Sequence, residues 1–300
     1  MAMESSTSET REAVVVINLR SRSGADVAEN AAKELQRHGV RVRECHLARS
    51  GQELMTAVRR AVESDIGTLV IGGGDGTLST VVDLLVNRPH LTLGLLPMGT
   101  GNEVARVLGI PLDLQGACRV VATGRVDTMD LAEANGNYFL HTALIGYPAW
   151  VNHTIPSWLK RWLGKAAYIY AFLVSVIGAR PFHATVTAGD SRWEVTTNLV
   201  VVGNGRFHLP GKVLLPYSEW ERKSLVVYAP RDTRWSTLLK LVVGLWITHS
   251  PQPDLLFSIS AVDVTVAAEP VQPTDLDGEI GRPTPARFHL ARGALRVLVP

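Results

Sequence analysis

The sequence predicts an α/β protein with two domains: an N-terminal α/β domain with a parallel sheet, and a C-terminal β-rich domain. Three observations support this fold class. Up to about residue 125, short apolar runs alternate with amphipathic stretches of helical length, which is the pattern of repeated βαβ units. Two glycine-rich turns, Gly72–Gly76 and Gly99–Gly101, each follow a strand and precede a helix. Beyond Val126, strand-length runs dominate the sequence.

In the first part, apolar runs predict strands over Ala13–Asn18, Val40–His46, Gly67–Ile71 and Leu91–Leu96. Stretches with helical periodicity predict helices over Ala25–His38, Gln52–Ser64, Thr77–Val86 and Asn102–Leu108. Consecutive strands joined by a helix are expected to run parallel, because a parallel connection needs a crossover. Ligands of open α/β sheets bind at the carboxyl ends of the strands, and both glycine-rich turns lie at such ends.

The second part begins with a predicted hairpin, Asp127–Ala134 and Asn137–Ala143, around Asn135-Gly136. A mostly helical segment is predicted from about Ala149 to Gly178, and a further helix over Thr233–Trp246. The remaining runs predict strands over His183–Thr187, Trp193–Val202, Leu225–Tyr228, Leu255–Ser260, Val262–Ala267, Ala286–Leu290 and Leu295–Val299. The expected organisation is a disordered tail over 1–12, an α/β domain over 13–125 and a β-rich domain over 126–300, with the option that its last strand returns to the first domain.

Composition and charge exclude several classes of protein. The formal net charge of +2 is too small to predict nucleic-acid binding. Residues 1–12 contain no apolar signal-peptide region, and the longest apolar run, Ala166–Ala179, is too short to span a membrane. Cys45 and Cys118 have no metal-binding spacing, so we expect buried free thiols in a reducing compartment. These features predict a cytoplasmic protein.

The most informative motif is Leu69–Thr77, an apolar strand that runs into three glycines, an aspartate, a fourth glycine and a hydroxyl. Glycines allow backbone N–H groups to approach a phosphate closely. Asp75 would repel that phosphate unless a cation lies between them, so the motif favours nucleotide phosphates together with a metal ion, and hence phosphoryl transfer. The motif is neither the Walker A pattern nor the G-x-G-x-x-G dinucleotide pattern.

Two further segments carry polar groups. Pro97–Arg106 is a second glycine-rich turn. Its Thr100 could close over a nucleotide, and its Glu103 is favoured at the start of a helix; a glycine-rich helix cap is the alternative.

Thr274–Gly281 places three carboxylates around a glycine, namely Asp275, Asp277 and Glu279. These carboxylates could supply a general base for a substrate hydroxyl or an outer partner of the metal, whereas the local sequence alone favours a solvated turn between strands.

In their order along the chain, these motifs resemble the diacylglycerol-kinase catalytic family, which includes soluble bacterial lipid kinases, sphingosine kinases and ceramide kinases. The resemblance is carried by Gly73–Thr77, Pro97–Asn102 and Asp277–Glu279. It spans nearly the whole chain, with further matches at Val15–Asn18, Ser23-Gly24, Met129–Leu131, Tyr138–Ala143 and Ala294–Pro300. The Gly-Gly-Asp-Gly-Thr turn alone is less specific, since NAD kinases share it and phosphofructokinases carry a close variant.

The resemblance implies a nucleotide-binding domain over 13–125 and a lipid-substrate domain over 126–300, with ATP bound in the cleft between them. The residues implied in nucleotide binding are Asn18, Gly73, Gly74, Asp75, Gly76, Thr77, Ser79, Gly99, Thr100 and Asn102. The acidic network implied in supporting Mg²⁺, in part through water, consists of Asp75, Glu103 and Asp130. Asp277 and Glu279 match the catalytic pair, of which one takes the proton from a lipid hydroxyl, and Asp75 completes the catalytic set.

The sequence departs from the family pattern in four places, three single residues and one turn. Leu19 stands in place of a proline, Arg49 in place of a threonine near the nucleotide, and Glu103 in place of an aspartate. Arg222 and Lys223 occupy an Asp-Asp-Gly-like turn that binds a structural metal in some bacterial members, and these cations should abolish that site. A cation at position 49 could contact a phosphate directly, and we expect one metal role rather than two.

A tryptophan-rich segment indicates how a lipid could be reached. In Ser157–Lys165, Trp158 and Trp162 lie one helical turn apart beside lysines and an arginine, which suits both a membrane interface and core packing. The apolar stripe in Thr233–Trp246 is typical of core packing. The implied partner is a lipid substrate at a membrane surface, with transient membrane association and no nucleic acid; a homodimer stays open.

The leading hypothesis is an ATP- and Mg²⁺-dependent lipid kinase that phosphorylates a hydroxyl of a membrane lipid, with diacylglycerol as the default substrate in phospholipid biosynthesis. A sphingoid base, ceramide or phosphatidylglycerol is an alternative acceptor. Two other hypotheses are an NAD kinase and a catalytically silent nucleotide- or lipid-binding protein. The Asp277–Glu279 motif and the tryptophan-rich segment speak against the first, and the retained carboxylates Asp75, Asp277 and Glu279 speak against the second.

Overall fold

The computed structural model describes residues 10–21, 24–146, 180–205, 224–234, 236, 237, 240, 241 and 253–300. The chain divides into two compact units: unit 1 contains Met1–Met129 and Gly293–Pro300, and unit 2 contains Asp130–Arg292. The predicted helix over Ala149–Gly178 lies outside the described residues, as do most of Thr233–Trp246 and most of the N-terminal tail. No helix in the described ranges is long and apolar enough to cross a membrane.

Unit 1 is built on a parallel sheet whose strands alternate with helices. Its strands are β1 (Glu12–Asn18), β2 (Arg41–Ala48), β3 (Thr68–Gly73) and β4 (Thr92–Pro97). Its helices are α1 (Gly24–Arg37), α2 (Gly51–Glu63), α3 (Asp75–Leu85), α4 (Glu103–Val107) and α5 (Leu114–Thr123). The strand order is β2–β1–β3–β4 and each adjacent pair is parallel, which confirms the predicted fold class of this part. Strands β1, β3 and β4 are buried along nearly their whole length, as strands covered on both faces must be.

Two features of unit 1 differ from the sequence-based expectation. Helix α5 is not among the predicted elements, although Asp113 marks its start by accepting a hydrogen bond from the N–H of Gly116 at 2.7 Å. Cys45, expected to be buried, is exposed on β2, whereas Cys118 is buried on α5. The reason is that β2 is the terminal strand of the sheet in the described part of the chain, so its side chains have fewer neighbours.

Unit 2 is made of antiparallel strands. Its first strands are β5 (Arg125–Ala134, which begins in unit 1), β6 (Asn137–Phe139), β7 (Thr142–Ile145), β8 (Phe182–Ala188), β9 (Ser191–Thr197) and β10 (Val200–Asn204). The later strands are β11 (Leu225–Pro230), β12 (Leu256–Ala261), β13 (Asp263–Glu269), β14 (Thr274–Leu276), β15 (Glu279–Ile280) and β16 (Ala286–Val299). Six strands form a sheet in the order β12–β11–β10–β7–β14–β15, and β8 and β9 continue a second sheet from β16 and β13.

The core of unit 2 contains apolar side chains from strands of both sheets, which is the packing of a β-sandwich. Phe139 and Phe288 meet edge to face in this core, with ring centroids 6.3 Å apart and an interplanar angle of 89°. Phe182 is as deeply buried. The predicted β-rich character of the C-terminal part is therefore confirmed for the described residues.

Four predicted strands of the C-terminal part have other limits in the structure. The run Asn137–Ala143 is broken after Phe139, because the backbone N–H groups that follow bind a carboxylate instead of a neighbouring strand. The run Trp193–Val202 is broken after Thr197, whose hydroxyl bonds the backbone of Leu199. Conversely, the two runs near the C-terminus form one strand, β16, because Gly293 with φ +61° turns the backbone without ending the strand.

Candidate active site

The first glycine-rich turn connects β3 to α3 in unit 1. A Cβ atom on Gly73 would overlap the side chain of Thr77, so only glycine fits at this position. Thr77 is buried, and its Oγ1 accepts a hydrogen bond from Nδ2 of Asn18 at 3.0 Å. Asn18 ends β1, the neighbour of β3 in the sheet. Three of the predicted nucleotide-binding residues are thus held together at the carboxyl ends of two adjacent strands.

The two glycine-rich turns pack backbone against backbone. A Cβ on Gly99 would lie 2.5 Å from Cα of Gly74, and a Cβ on Gly74 would lie 2.8 Å from Cα of Gly99. Asn102 fixes the second turn, since its Oδ1 accepts from the N–H of Gly99 at 2.8 Å and its Nδ2 donates to the carbonyl of Gly99 at 3.0 Å. Asn102 itself adopts a left-handed conformation with φ +51°. The pair of turns therefore forms one rigid backbone surface.

Asp75 lies where these turns meet. Its Oδ1 accepts a hydrogen bond from the N–H of Val104 at 3.1 Å, in the first turn of α4, and a Cβ on Gly101 would lie 3.0 Å from its Oδ2. Glu103 precedes Val104 directly and is half-buried, as Asp75 is. The two predicted metal-supporting residues of unit 1 are therefore neighbours in the structure, because Asp75 binds the N–H of the residue that follows Glu103.

The remaining predicted nucleotide residues of unit 1 surround the same surface. Gly76 and Thr100 are exposed, and Ser79 is half-buried in the first turns of α3. The N-terminal N–H groups of α3 carry partial positive charge, which favours anionic groups at this end of the helix. The arrangement is suited chemically to hold a phosphate chain.

Asp277 occupies the turn between β14 and β15 in unit 2, with φ +50°. Its Oδ2 accepts from the N–H of Leu140 at 2.6 Å, and its Oδ1 accepts from the N–H groups of His141 and Thr142, both at 3.0 Å. Its own N–H donates to the carbonyl of Thr142 at 3.0 Å. Because each of these bonds to the carboxylate is strengthened by its negative charge, Asp277 ties the hairpin firmly to the β6–β7 turn.

The other two carboxylates of this motif have different surroundings. Asp275 is buried, and its Oδ1 accepts from the N–H of Gly278 at 2.7 Å, which closes the turn. Glu279 begins β15 and is exposed, and its carboxylate makes no hydrogen bond or ion pair with any residue in the described part of the chain. The segment is thus a strand–turn–strand, but its three carboxylates are not equivalent members of a solvated turn.

Asp130 lies on β5 in unit 2 and is half-buried. Asn204, which is buried at the end of β10, donates from Nδ2 to the carbonyl of Asp130 at 3.3 Å, and its own N–H donates to the carbonyl of His141 at 2.9 Å. Asn204 therefore links the strand of Asp130 to the turn that binds Asp277. Sequence reasoning missed Asn204, although a Gly-Asn-Gly after an apolar strand is a recognisable signal.

Within the ranges that the structure describes, no group of three or more His, Cys, Asp or Glu side chains is placed to hold a metal ion. The predicted metal-supporting residues lie in both units, with Asp75 and Glu103 in unit 1 and Asp130 in unit 2. The catalytic pair, Asp277 and Glu279, lies in unit 2.

Comparison with known proteins identifies two family models along the chain. Residues 12–134 match the diacylglycerol kinase catalytic domain, and residues 142–299 match the YegS C-terminal NAD kinase beta sandwich-like domain. The chain belongs to the diacylglycerol kinase catalytic family. This member of the diacylglycerol kinase family is therefore an enzyme, a phosphotransferase of a lipid kinase family, and the predicted resemblance is confirmed.

Relatives match this diacylglycerol kinase family member over most of its length. A Pseudomonas aeruginosa strain PAO1 protein named "Probable lipid kinase YegS-like" is 30% identical over 292 residues, which cover 95% of this chain and 94% of that protein. A Klebsiella pneumoniae strain 342 protein of the same name is 28% identical over 249 residues, 81% of each chain.

Solved structures support the fold. A crystal structure of a diacylglycerol kinase from Bacillus anthracis strain Sterne superposes with a TM-score of 0.69 at 18% identity and 97% coverage of both chains. A second chain from that organism gives a TM-score of 0.77 at 22% identity, again with 97% coverage of both chains.

Proposed function

We propose that this enzyme transfers the γ-phosphoryl group of ATP, with Mg²⁺, to a hydroxyl of a membrane lipid, diacylglycerol or a related lipid alcohol. The observation that carries the proposal is the rigid pair of glycine turns around Asp75. At Gly73, Gly74 and Gly99 these turns leave no room for a Cβ, which suits backbone contact with phosphates. The names of the relatives support a lipid acceptor.

The carboxylates of the site fit the requirements of Mg²⁺. This ion takes few protein carboxylates and completes its coordination with water and phosphate oxygens. Asp75 is fixed by the N–H of Val104, and Glu103 adjoins it. We propose Asp75, Glu103 and Asp130 as the residues that support the ion, which when bound would neutralise charge on the transferred group.

Glu279 is the proposed general base, and Asp277 is the proposed positioning residue. Three backbone N–H groups already occupy the carboxylate of Asp277 and hold it in place. Glu279 is exposed two residues further on and makes no such bond with a described residue. A carboxylate within hydrogen-bond reach of the lipid hydroxyl would accept its proton as the phosphoryl group is transferred, since an alcohol is a weak nucleophile.

The lipid acceptor requires contact with a membrane surface, so we propose transient membrane association of a cytoplasmic enzyme. Trp158 and Trp162, which lie outside the described residues, are the proposed contacts. Replacing both by alanine should weaken binding to vesicles while leaving the thermal midpoint nearly unchanged. A large fall in the midpoint would instead identify them as core residues.

The decisive test follows label from γ-phosphate-labelled ATP into mixed micelles of diacylglycerol, sphingosine, ceramide or phosphatidylglycerol, with NAD as a parallel acceptor. Label in a lipid is expected. Glu279→Gln should lower that turnover by about a hundredfold or more, whereas the control Glu63→Gln, at an exposed position of α2, should not change it. Label in NAD, or ATP binding without transfer to any acceptor, would overturn the proposal.

A further inference from the structure

Two arginines follow neighbouring strands at the carboxyl edge of the unit 1 sheet, defined here as the edge where β1, β2 and β3 end. Arg20 lies two residues after β1, and Arg49 comes directly after β2. Both are exposed. The two chain segments are tied side by side, because the N–H of Leu19 donates to the carbonyl of Ala48 at 2.9 Å.

The backbone at both arginines is fixed. The N–H of Arg49 donates to Oε2 of Glu53 at 2.9 Å, and Oγ of the N-cap residue Ser50 accepts from the N–H of Glu53 at 3.1 Å, so two hydrogen bonds fix the chain at the start of α2. The N–H of Arg20 donates to Oδ1 of Asn18 at 3.0 Å. These bonds hold the backbone at Arg20 and Arg49, so only the two arginine side chains are left to change conformation.

Neither guanidinium forms an ion pair with a residue in the described part of the chain. Other exposed arginines do so, for example Arg37 with Glu34 and Arg234 with Asp232. The carboxylate next to Arg49, that of Glu53, is engaged by the backbone N–H of Arg49. Among the described residues, no carboxylate is therefore paired with either of these two positive charges at the carboxyl edge.

Asn18 connects these cations to the glycine turn. Its Oδ1 accepts from Arg20, while its Nδ2 donates to Oγ1 of Thr77, which packs against Gly73. In the sheet, β1 separates β2 from β3, so the ends of β2 and β3 lie about 10 Å apart. An extended arginine side chain and a polyphosphate chain together cover that distance.

We infer that Arg20 and Arg49 bind the phosphates of the nucleotide at the glycine turns, where their positive charges supplement that of the metal ion. The inference rests on the proposed function and deepens it. Charge-assisted hydrogen bonds between guanidinium groups and phosphate oxygens are strong, and Arg matches their geometry in a bidentate way. The site then distinguishes nucleotides by their phosphate charge, so affinity should fall from ATP through ADP to adenosine.

The test measures ATP, ADP and adenosine binding to the full chain by titration calorimetry in buffer with Mg²⁺. Arg49→Gln should weaken ATP binding by about tenfold to a hundredfold, leave adenosine binding unchanged, and be partly restored in Arg49→Lys. Arg20→Gln should act in the same direction, and the double variant should weaken ATP binding further. Arg59→Gln, which removes an exposed charge from α2, is the matched control and should bind ATP as the wild type does.

The outcomes separate the two proposals. If the wild type phosphorylates lipid and Arg49→Gln binds ATP as tightly as Arg59→Gln does, the arginine site is wrong and the proposed function stands. If adenosine binding falls as much as ATP binding, the arginines act through the fold and the inference is overturned. If the wild type binds no ATP, both proposals fail.

Discussion

At the scale of single residues, the sequence predicts which carboxylates are candidates for the site but not which groups they bind. The motifs single out Asp75, Asp277 and Glu279 as candidates. Their bonding could not be derived, because Asp277 binds N–H groups of the β6–β7 turn more than a hundred positions earlier in the chain. A carboxylate whose partners are distant backbone groups looks, in sequence, like any aspartate in a turn.

Replacing Asp75 by asparagine removes the negative charge of the side chain while nearly preserving its shape. Asparagine keeps an oxygen that can accept from the N–H of Val104, so the thermal midpoint should stay close to that of the wild type. Turnover should fall by about a hundredfold to a thousandfold, because the charge that supports the metal–phosphate assembly is lost. Kinetics and thermal unfolding of the same preparation check both parts, and wild-type activity would contradict the assignment of Asp75.

Replacing Asp277 by alanine removes the acceptor of three N–H groups. We expect the free energy of unfolding to fall by about 3 kcal/mol, since partly buried donors lose their partners. Asp277→Asn retains one acceptor oxygen and should lose less. Urea unfolding measures both variants, with Glu279→Gln as the control that leaves stability unchanged. Equal stability of Asp277→Ala and wild type would refute the positioning role.

At the scale of elements, the sequence is informative where a pattern is continuous. The four parallel strands of unit 1 and their intervening helices follow directly from alternating apolar and amphipathic runs. The pattern fails where a tertiary bond interrupts a strand, as after Phe139, or where a glycine is absorbed into one, as at Gly293. The contact between the two glycine turns could not be predicted from the sequence either, because it depends on the distance between separate βα connections.

The contact between the turns predicts a specific intolerance to methyl groups. Gly99→Ala would place a Cβ 2.5 Å from Cα of Gly74, so we expect a loss of about 1–3 kcal/mol in the free energy of unfolding. A Cβ on Gly51 meets no atom within 4 Å, and Gly51→Ala should be neutral or slightly stabilising. Thermal unfolding compares the two; equal midpoints would show that the turns separate easily.

At the scale of the whole molecule, the two cysteines report on different parts of the packing. Cys118 is buried in unit 1, and burial, followed by the charges of Glu34 and Asp113, raises its pKa to about 12. Cys45 is exposed on β2. Burial of this kind depends on the assembled fold, which is why sequence reasoning treated the two thiols alike.

Burial raises the pKa of the Cys45 thiol as well, but its exposure means that a thiol reagent at pH 8 should label Cys45 in the more rapid phase and Cys118 only when the chain unfolds. Cys45→Ser should abolish the rapid phase, whereas rapid labelling of two thiols in the wild type would contradict the burial of Cys118.

The raised pKa of Cys118 also predicts that stability depends on pH. Between the ordinary value of 9.0 and about 12, the folded chain keeps a proton that the unfolded chain loses, so this thiol makes the free energy of unfolding fall as the pH rises.

The strand β16 limits how this gene could be divided or recombined. Its first part pairs with β13 in unit 2, and its last residues pair with β4 in unit 1. A truncation after Met129 would leave β4 as an uncovered edge, which invites aggregation. Moving unit 1 intact between relatives would need two crossovers instead of one, because its final strand is encoded at the other end of the gene. Inheritance of both units as a single piece is the expected result.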